Sequence, residues 1–283
     1  MSIPAYQVIV LGIVQGLTEW LPISSTAHLI LFPWLAGWRD PGLAFDVALH
    51  TGTLLAAVSY FLRDWLGFLR AALPAAWSSA GGSTEIQSRR RLLALIAVAT
   101  VPAALAGIAA HRYVEEQLRS VPVIAASMII VGLLMAWAER RSSFGRTIEA
   151  LRLTDAALIG VAQACALIPG VSRSGATITA ALGRDMNRQD AARFSFLLAT
   201  PVIAGAALVE VPRLLHAVRL GMEAVSPPAV LLGIAVSAAS GYLAIAAFLR
   251  YLQFRTLKPF IYYRVGLGLG ILGLWFLQHA AAR

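Results

Sequence analysis

Long apolar segments alternate with short polar ones along the whole chain. Uninterrupted apolar runs of this length predict helices, because strands rarely exceed about eight residues. Six of the predicted helices are long enough to cross a bilayer, which takes about 20 residues. The other segments are predicted to be loops. Among them, residues 64–91 combine an apolar stretch around residues 65–77, expected at the membrane interface, with a polar run that is expected to be solvated. The predicted helices cover about residues 4–21, 24–37, 43–63, 92–111, 121–138, 154–168, 172–183, 189–211, 227–249 and 259–279.

Turn residues interrupt this pattern twice, where a membrane chain is expected to be apolar. Pro22 separates the first two predicted helices, and Pro169 and Gly170 separate a later pair. Irregular backbone at membrane depth is tolerated only where protein or a water-filled cavity satisfies its polar groups. We therefore expect two re-entrant helix pairs with buried turns. The predicted fold is an all-α integral membrane protein with six transmembrane helices and two re-entrant pairs.

The composition agrees with one membrane domain over residues 1–283, since 59% of the residues are hydrophobic and 13% are charged. The formal net charge is +9, but the basic residues are scattered in short loops. Such scattering indicates membrane orientation and contact with anionic headgroups rather than binding of nucleic acid. The single cysteine, Cys165, allows no intrachain disulfide.

The two halves of the chain match each other at a constant offset, which indicates duplication. We predict repeat 1 at about residues 1–140 and repeat 2 at about 153–283. An odd number of crossings in the first half would invert the second, and inverted repeats place a binding site near the bilayer midplane. The distribution of basic loops then predicts that both termini lie outside. The polar and glycine matches are Gly12 with Gly160, Gln15 with Gln163, Ser24 with Ser172 and Thr26 with Ser174.

The first turn carries polar groups that are costly in a membrane. Glu19 is either a structural partner for a buried arginine or for a helix-terminal backbone group, or it is a functional residue. We favour the functional role, because ionisable residues inside a membrane usually mark functional sites. Gln15 lies one helical turn before it, on the same face. Ser24, Ser25 and Thr26 either cap the next helix or bind an anion at the helix N-terminus.

His28 lies one turn beyond Ser25, so the two residues are candidates for a base and a nucleophile. Arg173, in the second turn, either forms an ion pair with Glu19 or binds phosphate oxygens through its planar guanidinium, and the two roles are compatible. Its neighbours Ser172, Ser174, Gly175 and Thr177 repeat the design of the first turn.

Asp46 and His50 form another pair four residues apart, at the start of the first full span. They either line the site or form a buried polar network. Taken together, the two turns are predicted to be halves of one phosphate site inside the bilayer. The predicted phosphate-binding residues are Gln15, Ser24, Thr26, Asp46, His50, Ser172, Ser174, Gly175 and Thr177.

Both turns resemble the motifs of the undecaprenyl-pyrophosphate phosphatase family, the bacitracin-resistance membrane phosphatases. The first motif corresponds to QGLTEWLPISSTAH at Gln15 to His28, and the second, PGVSRSGAT, is intact at Pro169 to Thr177. Two positions depart from the common pattern. Gln15 stands where many members have Glu, which weakens a metal role there, and Ala27 replaces the usual Gly.

The resemblance implies a hydrolase that removes the terminal phosphate of undecaprenyl pyrophosphate and so recycles the carrier lipid for peptidoglycan synthesis. It places the active site at the outer face of a bacterial inner membrane, and it implies a divalent cation, Mg²⁺ or Ca²⁺, with Glu19 as the candidate metal ligand. The implied catalytic residues are Glu19, Ser25, His28 and Arg173, and the choice between Glu19 and His28 as the base is open. The alternative function is a polyprenyl-lipid flippase or transporter, separate from or combined with the phosphatase, because inverted repeats suit alternating access. The sequence leaves a homodimer open.

Overall fold

A computed structural model describes residues 3–39, 41–73, 84–113, 117–219 and 226–281. Within these ranges the protein is helical, and the only extended pairing is an isolated bridge between Arg146 and Met186. A short 3₁₀ helix covers Ile148–Ala150. The eleven α-helices of the described ranges are α1 Ala5–Trp20, α2 Ser25–Ala36, α3 Leu43–Tyr60, α4 Leu62–Ala72, α5 Thr84–Tyr113, α6 Val121–Arg141, α7 Leu153–Cys165, α8 Arg173–Leu182, α9 Arg188–Arg219, α10 Pro227–Tyr251 and α11 Lys258–Ala281.

Five of these helices are long and apolar enough to cross a membrane, which confirms a multi-pass membrane protein. They are α5, α6, α9, α10 and α11. The sixth predicted span, at residues 43–63, corresponds to α3 and the start of α4. These two helices bend by 73° at Phe61 and pass the same test only as a pair. Apolar side chains such as Ile108, Leu208 and Leu243 point outward from the spans. Lipid tails solvate such side chains as well as a protein core does.

The prediction of loops over residues 64–91 is wrong for the described parts of that range, and residues 74–83 lie outside the described residues. Leu62–Ala72 is helical, and α5 already begins at Thr84. The charged residues that suggested a solvated loop lie on the first turns of α5, where Arg89 forms an ion pair with Glu85 and Arg90 donates to the carbonyl of Ala71. Charged residues are compatible with a helix when its end projects beyond the apolar region and its side chains find partners.

Both predicted breaks are present. α1 ends at Trp20 before Pro22, and α7 ends at Cys165 before a turn that contains Gly170. Gly170 has φ +92°, and a Cβ atom there would lie 2.5 Å from the carbonyl oxygen of Ile124 on α6. Only glycine meets both the dihedral angle and the close approach. The second turn is therefore packed against a span.

The apolar core lies around these turns. Trp20 is fully buried and meets the ring of Phe196 on α9 edge to face, with ring centroids 5.0 Å apart. At the end of the spans that carries most of the basic residues, buried Asp155 pairs with Arg146 and Arg184, each at 2.6 Å. These ion pairs hold the start of α7 and the end of α8 together.

Candidate active site

The two turns have nearly the same backbone geometry. Ser24 has φ 77° and ψ 97°, and Ser172 has φ 69° and ψ 119°, a left-handed region that costs free energy for residues other than glycine. Each serine caps the following helix, because its hydroxyl accepts a hydrogen bond from the backbone N–H of Ala27 or Gly175, respectively. Helices α2 and α8 therefore begin in the same way.

Glu19 is the centre of the site. It is buried, and its Oε2 accepts hydrogen bonds from the Ser25 hydroxyl at 2.5 Å and from the Gln15 amide at 3.0 Å. Its Oε1 accepts a hydrogen bond from Nη2 of Arg173 at 2.7 Å. One carboxylate from α1 thus joins the start of α2 to the start of α8, and the predicted ion pair between Glu19 and Arg173 is present.

One nitrogen of the Arg173 guanidinium does not donate a hydrogen bond to any described residue. Its Nη1 is buried and makes no hydrogen bond within the described residues. The guanidinium carbon lies 5.6 Å from the ring centroid of Trp20, which adds a cation–π contact and orients the group. A buried guanidinium with one unpaired nitrogen is suited to an anionic ligand, since an unmade hydrogen bond of this kind costs free energy until a ligand completes it.

The other residues of the second turn have structural partners. Ser174 donates to the carbonyl of Leu21, with Oγ and O 3.0 Å apart, and so joins the two turns directly. Thr177 is fully buried and bonds to the carbonyl of Arg173 and the hydroxyl of Ser195. The structure therefore brings Ser172, Ser174 and Gly175 to the site, whereas the Thr177 side chain is directed to its own helix and α9.

His28 is directed away from Ser25. Its Nδ1 lies 2.6 Å from the carbonyl oxygen of Ser24 and its Nε2 lies 2.7 Å from the hydroxyl of Tyr263. A carbonyl oxygen only accepts, so Nδ1 carries the proton and Nε2 of the neutral ring accepts from Tyr263. His28 then has no lone pair left for Ser25. Thr26 is half-buried beside Ser25 and makes no side-chain hydrogen bond within the described residues.

His50 is the histidine that reaches Glu19. Its Nε2 lies 3.3 Å from Oε2 of Glu19, and its Nδ1 lies 2.7 Å from the carbonyl oxygen of Asp46. The Asp46 side chain is directed elsewhere, with Oδ2 3.5 Å from Nη2 of Arg119. Of the predicted pair Asp46 and His50, only the His50 side chain contacts Glu19. Asp46 orients the His50 ring through its backbone carbonyl.

The sequence profile of a family described as "Bacitracin resistance protein BacA" matches residues 8–270 of this chain, nearly its whole length. The chain belongs to the BacA family. The match includes both turns and every residue placed at the site above. Membership thus agrees with the resemblance carried by the two motifs.

Several similar proteins carry the name undecaprenyl-diphosphatase. One from Trichlorobacter lovleyi is 44% identical over 93% of this chain and 94% of its own length. Another from Geobacter sulfurreducens is 47% identical over 95% of this chain and 97% of its own length. The protein named undecaprenyl-diphosphatase 2 from Stutzerimonas stutzeri is 46% identical over 95% of this chain and 97% of its own length.

Two residues near the first and second turns were not predicted as site residues from the sequence. Tyr263 binds His28, and Arg264 donates to carbonyls of both turns. The signal for Arg264 was its charge inside an apolar span, which is rare without a buried partner. Tyr263 carried no comparable signal, because tyrosines are common near the ends of membrane helices.

The residues around Glu19 do not form a divalent-cation site on their own. Within the described ranges, no group of three or more His, Cys, Asp or Glu side chains is placed to hold a metal ion. The oxygens of the Glu19 carboxylate already contact four side chains, those of Ser25, Gln15, His50 and Arg173. Mg²⁺ is usually bound by one or two carboxylates together with substrate phosphates, so a cation at Glu19 would need oxygens from the substrate.

Proposed function

We propose that this protein hydrolyses undecaprenyl pyrophosphate to undecaprenyl phosphate and phosphate, as the names of its relatives state for those proteins. The observation that carries the proposal is the geometry at Glu19. One buried carboxylate contacts a serine hydroxyl at 2.5 Å and a guanidinium at 2.7 Å, and that guanidinium has an unpaired buried nitrogen. A nucleophile, a base and an anion-binding group thus meet at one point.

The proposed reaction has two steps. Ser25 Oγ attacks the terminal phosphorus while Oε2 of Glu19 takes its proton, and the bond from phosphorus to the bridging oxygen breaks. Undecaprenyl phosphate leaves with the bonding electron pair. Water then attacks the phosphoserine and the bond from phosphorus to Ser25 Oγ breaks. Glu19 gives back to Oγ the proton that it took in the first step, and phosphate leaves with the protons of the water. Arg173 and the N-termini of α2 and α8 stabilise the charge on the transferred group.

The geometry favours Glu19 over His28 as the base. Glu19 is the carboxylate within hydrogen-bond distance of Ser25 Oγ, whereas both ring nitrogens of His28 are engaged by Ser24 and Tyr263. We infer that His28 acts by holding the backbone of the first turn.

Phosphate release from undecaprenyl pyrophosphate by the purified protein in detergent tests the function. We expect Ser25→Ala and Arg173→Ala to abolish release. Ser237→Ala should leave it unchanged, because Ser237 is also a buried serine but donates to the carbonyl of Leu49, between α10 and α3. A wild-type protein that releases no phosphate would contradict the proposed function. Near-normal release by Ser25→Ala would contradict the phosphoserine alone and leave attack by water.

The finer architecture is also part of the proposal. We propose that α1 and α2, and likewise α7 and α8, are re-entrant pairs of two inverted repeats. Reciprocal packing supports this: Gly12 of α1 lies against Val236 of α10, and its counterpart Gly160 of α7 lies against Ala99 of α5. Each re-entrant helix thus packs on the second long span of the other repeat. The matching backbone of Ser24 and Ser172 adds to this support.

The proposed location is the inner membrane of a bacterium, with the site and both termini on the outer side. The basic end of the spans, with Arg146, Arg184 and Arg188, would then face the cytoplasm, as the positive-inside rule requires. Labelling with a membrane-impermeant thiol reagent tests this, after Cys165 is replaced by serine. A cysteine at Ser2 should react in intact spheroplasts, and one at Ser143 should react only after lysis.

The alternative function, a transporter, is supported by one observation, the reciprocal packing of the two proposed repeats. Proteoliposomes with the lipid on one side separate the two functions. Cleavage without movement supports the phosphatase, movement without cleavage supports the transporter, and both together support the combined function.

Two expectations from the resemblance and the sequence stay predictions. A divalent cation, Mg²⁺ or Ca²⁺, is expected to bind together with the pyrophosphate, so a chelator should stop phosphate release and the added ion should restore it. Unchanged rates of phosphate release in chelator would contradict the need for a cation.

The predicted homodimer is tested by light scattering of the protein in detergent.

A further inference from the structure

Arg264 is a charged residue that the proposed reaction does not use. It lies in α11, its side chain is 0% exposed, and it forms no ion pair with a described carboxylate. Its guanidinium instead donates to five backbone carbonyls. The acceptors are Pro22 at 3.2 Å, Met128 at 3.2 Å, Ser127 at 3.5 Å, Gly170 at 2.8 Å and Val171 at 3.1 Å.

These acceptors belong to three separate parts of the chain. Pro22 lies in the first turn, Gly170 and Val171 lie in the second turn, and Ser127 and Met128 lie on α6. Carbonyls at a helix break have lost their helical partners, and an unpaired buried carbonyl costs free energy. One guanidinium therefore satisfies both breaks at once. A planar group with five N–H donors can do this, and an ammonium group with three donors cannot reach as many acceptors.

The glycine of the second motif has a role in this arrangement. A Cβ atom on Gly175 would lie 3.3 Å from Nη1 of Arg264 and 3.1 Å from Cβ of Ser172. The absent side chain allows the guanidinium to lie against the first turn of α8. Arg264 thus contacts the backbone that carries Arg173 and, through Pro22, the backbone between Glu19 and Ser25.

We propose that Arg264 is a positioning residue for the phosphatase reaction, which holds the Ser25 turn and the Arg173 turn at the separation that pyrophosphate requires. The inference rests on the proposed function. Burying an unpaired cation is expensive, and apolar packing would stabilise the helices at lower cost. The charge lies where the two halves of the site meet, so Arg264 fixes the geometry of the site in addition to satisfying these carbonyls.

The test compares Arg264→Lys and Arg264→Met with Arg146→Lys. Arg146 also donates to two backbone carbonyls, of Ala150 and Arg184, and to Asp155, but it lies at the basic end, away from the turns. The measurements are kcat and KM for phosphate release, and the melting temperature in detergent. The kinetic assays are made well below every melting temperature, so that folded protein is compared with folded protein.

We expect kcat of Arg264→Lys to fall about 100-fold, because a displacement of about 1 Å in a catalytic constellation costs that much. Arg264→Met should be slower still, with lysine giving partial rescue, and KM should change less than kcat. Arg146→Lys should lower the melting temperature and leave kcat unchanged. If Arg264→Lys lowers only the melting temperature and keeps kcat within about threefold, the positioning role is overturned.

A double-mutant comparison gives an independent readout. Ser174 joins the same two turns through its bond to the carbonyl of Leu21. If both residues act on the separation of the turns, the losses in log kcat of Arg264→Lys and Ser174→Ala should not add. Additive losses would contradict the shared role. An inactive wild-type protein would instead contradict the proposed function, so the two failures are distinguishable.

Discussion

Replacing Glu19 by glutamine changes the site with little change in shape. The amide can still accept from the Ser25 hydroxyl or from Arg173, but it cannot take a proton from Ser25 at neutral pH. It also removes the negative charge that lies 2.7 Å from the Arg173 guanidinium. The variant therefore removes the base and the negative charge but keeps the size of the side chain and its capacity to accept hydrogen bonds.

The expected magnitude follows from these two losses. A general base contributes about 10²- to 10⁴-fold in rate, so kcat should fall about 1,000-fold. Removing one partner of a buried ion pair costs about 3–5 kcal/mol of stability, since it leaves an uncompensated charge. Bound pyrophosphate can supply that missing charge to Arg173. KM should therefore stay constant or fall while kcat falls.

The assay is steady-state phosphate release in detergent, with melting temperatures measured on the same samples. Glu139→Gln is the matched control, because Glu139 is also buried and pairs with Arg188 at 2.7 Å, at the basic end of the spans. It should lose stability without losing kcat. If Glu19→Gln keeps kcat within about tenfold of wild type, Glu19 is not the base.

Two further predictions concern contacts outside the reacting groups. His28→Gln should lower kcat, and Tyr263→Phe should reproduce part of the loss, because Tyr263 is the partner of Nε2; an unaffected Tyr263→Phe would argue that His28 acts on Ser25 instead. Gly52→Ala should lower the melting temperature, since its Cβ would lie 2.4 Å from the carbonyl oxygen of Ile234 and force α3 away from α10, at a cost of about 1–3 kcal/mol. Gly270→Ala is its control, because a Cβ atom there would meet no atom within 4 Å apart from the neighbouring backbone of its own helix. Equal melting temperatures for the two variants would refute the packing argument.

Much of the site could be predicted from residues close together in the sequence. Ser24 and Ser172 cap helices, and a proline or glycine break precedes each one, so the two turns were recognisable. The costly charges Glu19 and Arg173 indicated a shared site, and their ion pair is present. The spacing of His28 and Ser25, however, predicted a contact that is not made in the described structure. Both residues lie on α2, but a backbone carbonyl and Tyr263 engage the imidazole instead.

The sequence by itself determined the helical membrane fold, the spans and the two breaks, because apolar length, prolines and caps act over a few residues. Tertiary structure decided which distant groups meet. His50 rather than His28 reaches Glu19, and Arg264 joins breaks that lie far from it in the chain. The early start of α5 also depended on packing, since its charged first turns are compatible with a helix or a loop until their partners on α4 are known. The local sequence pattern determines which side of each segment is buried. Which distant side chains come into contact depends on how the segments pack against each other.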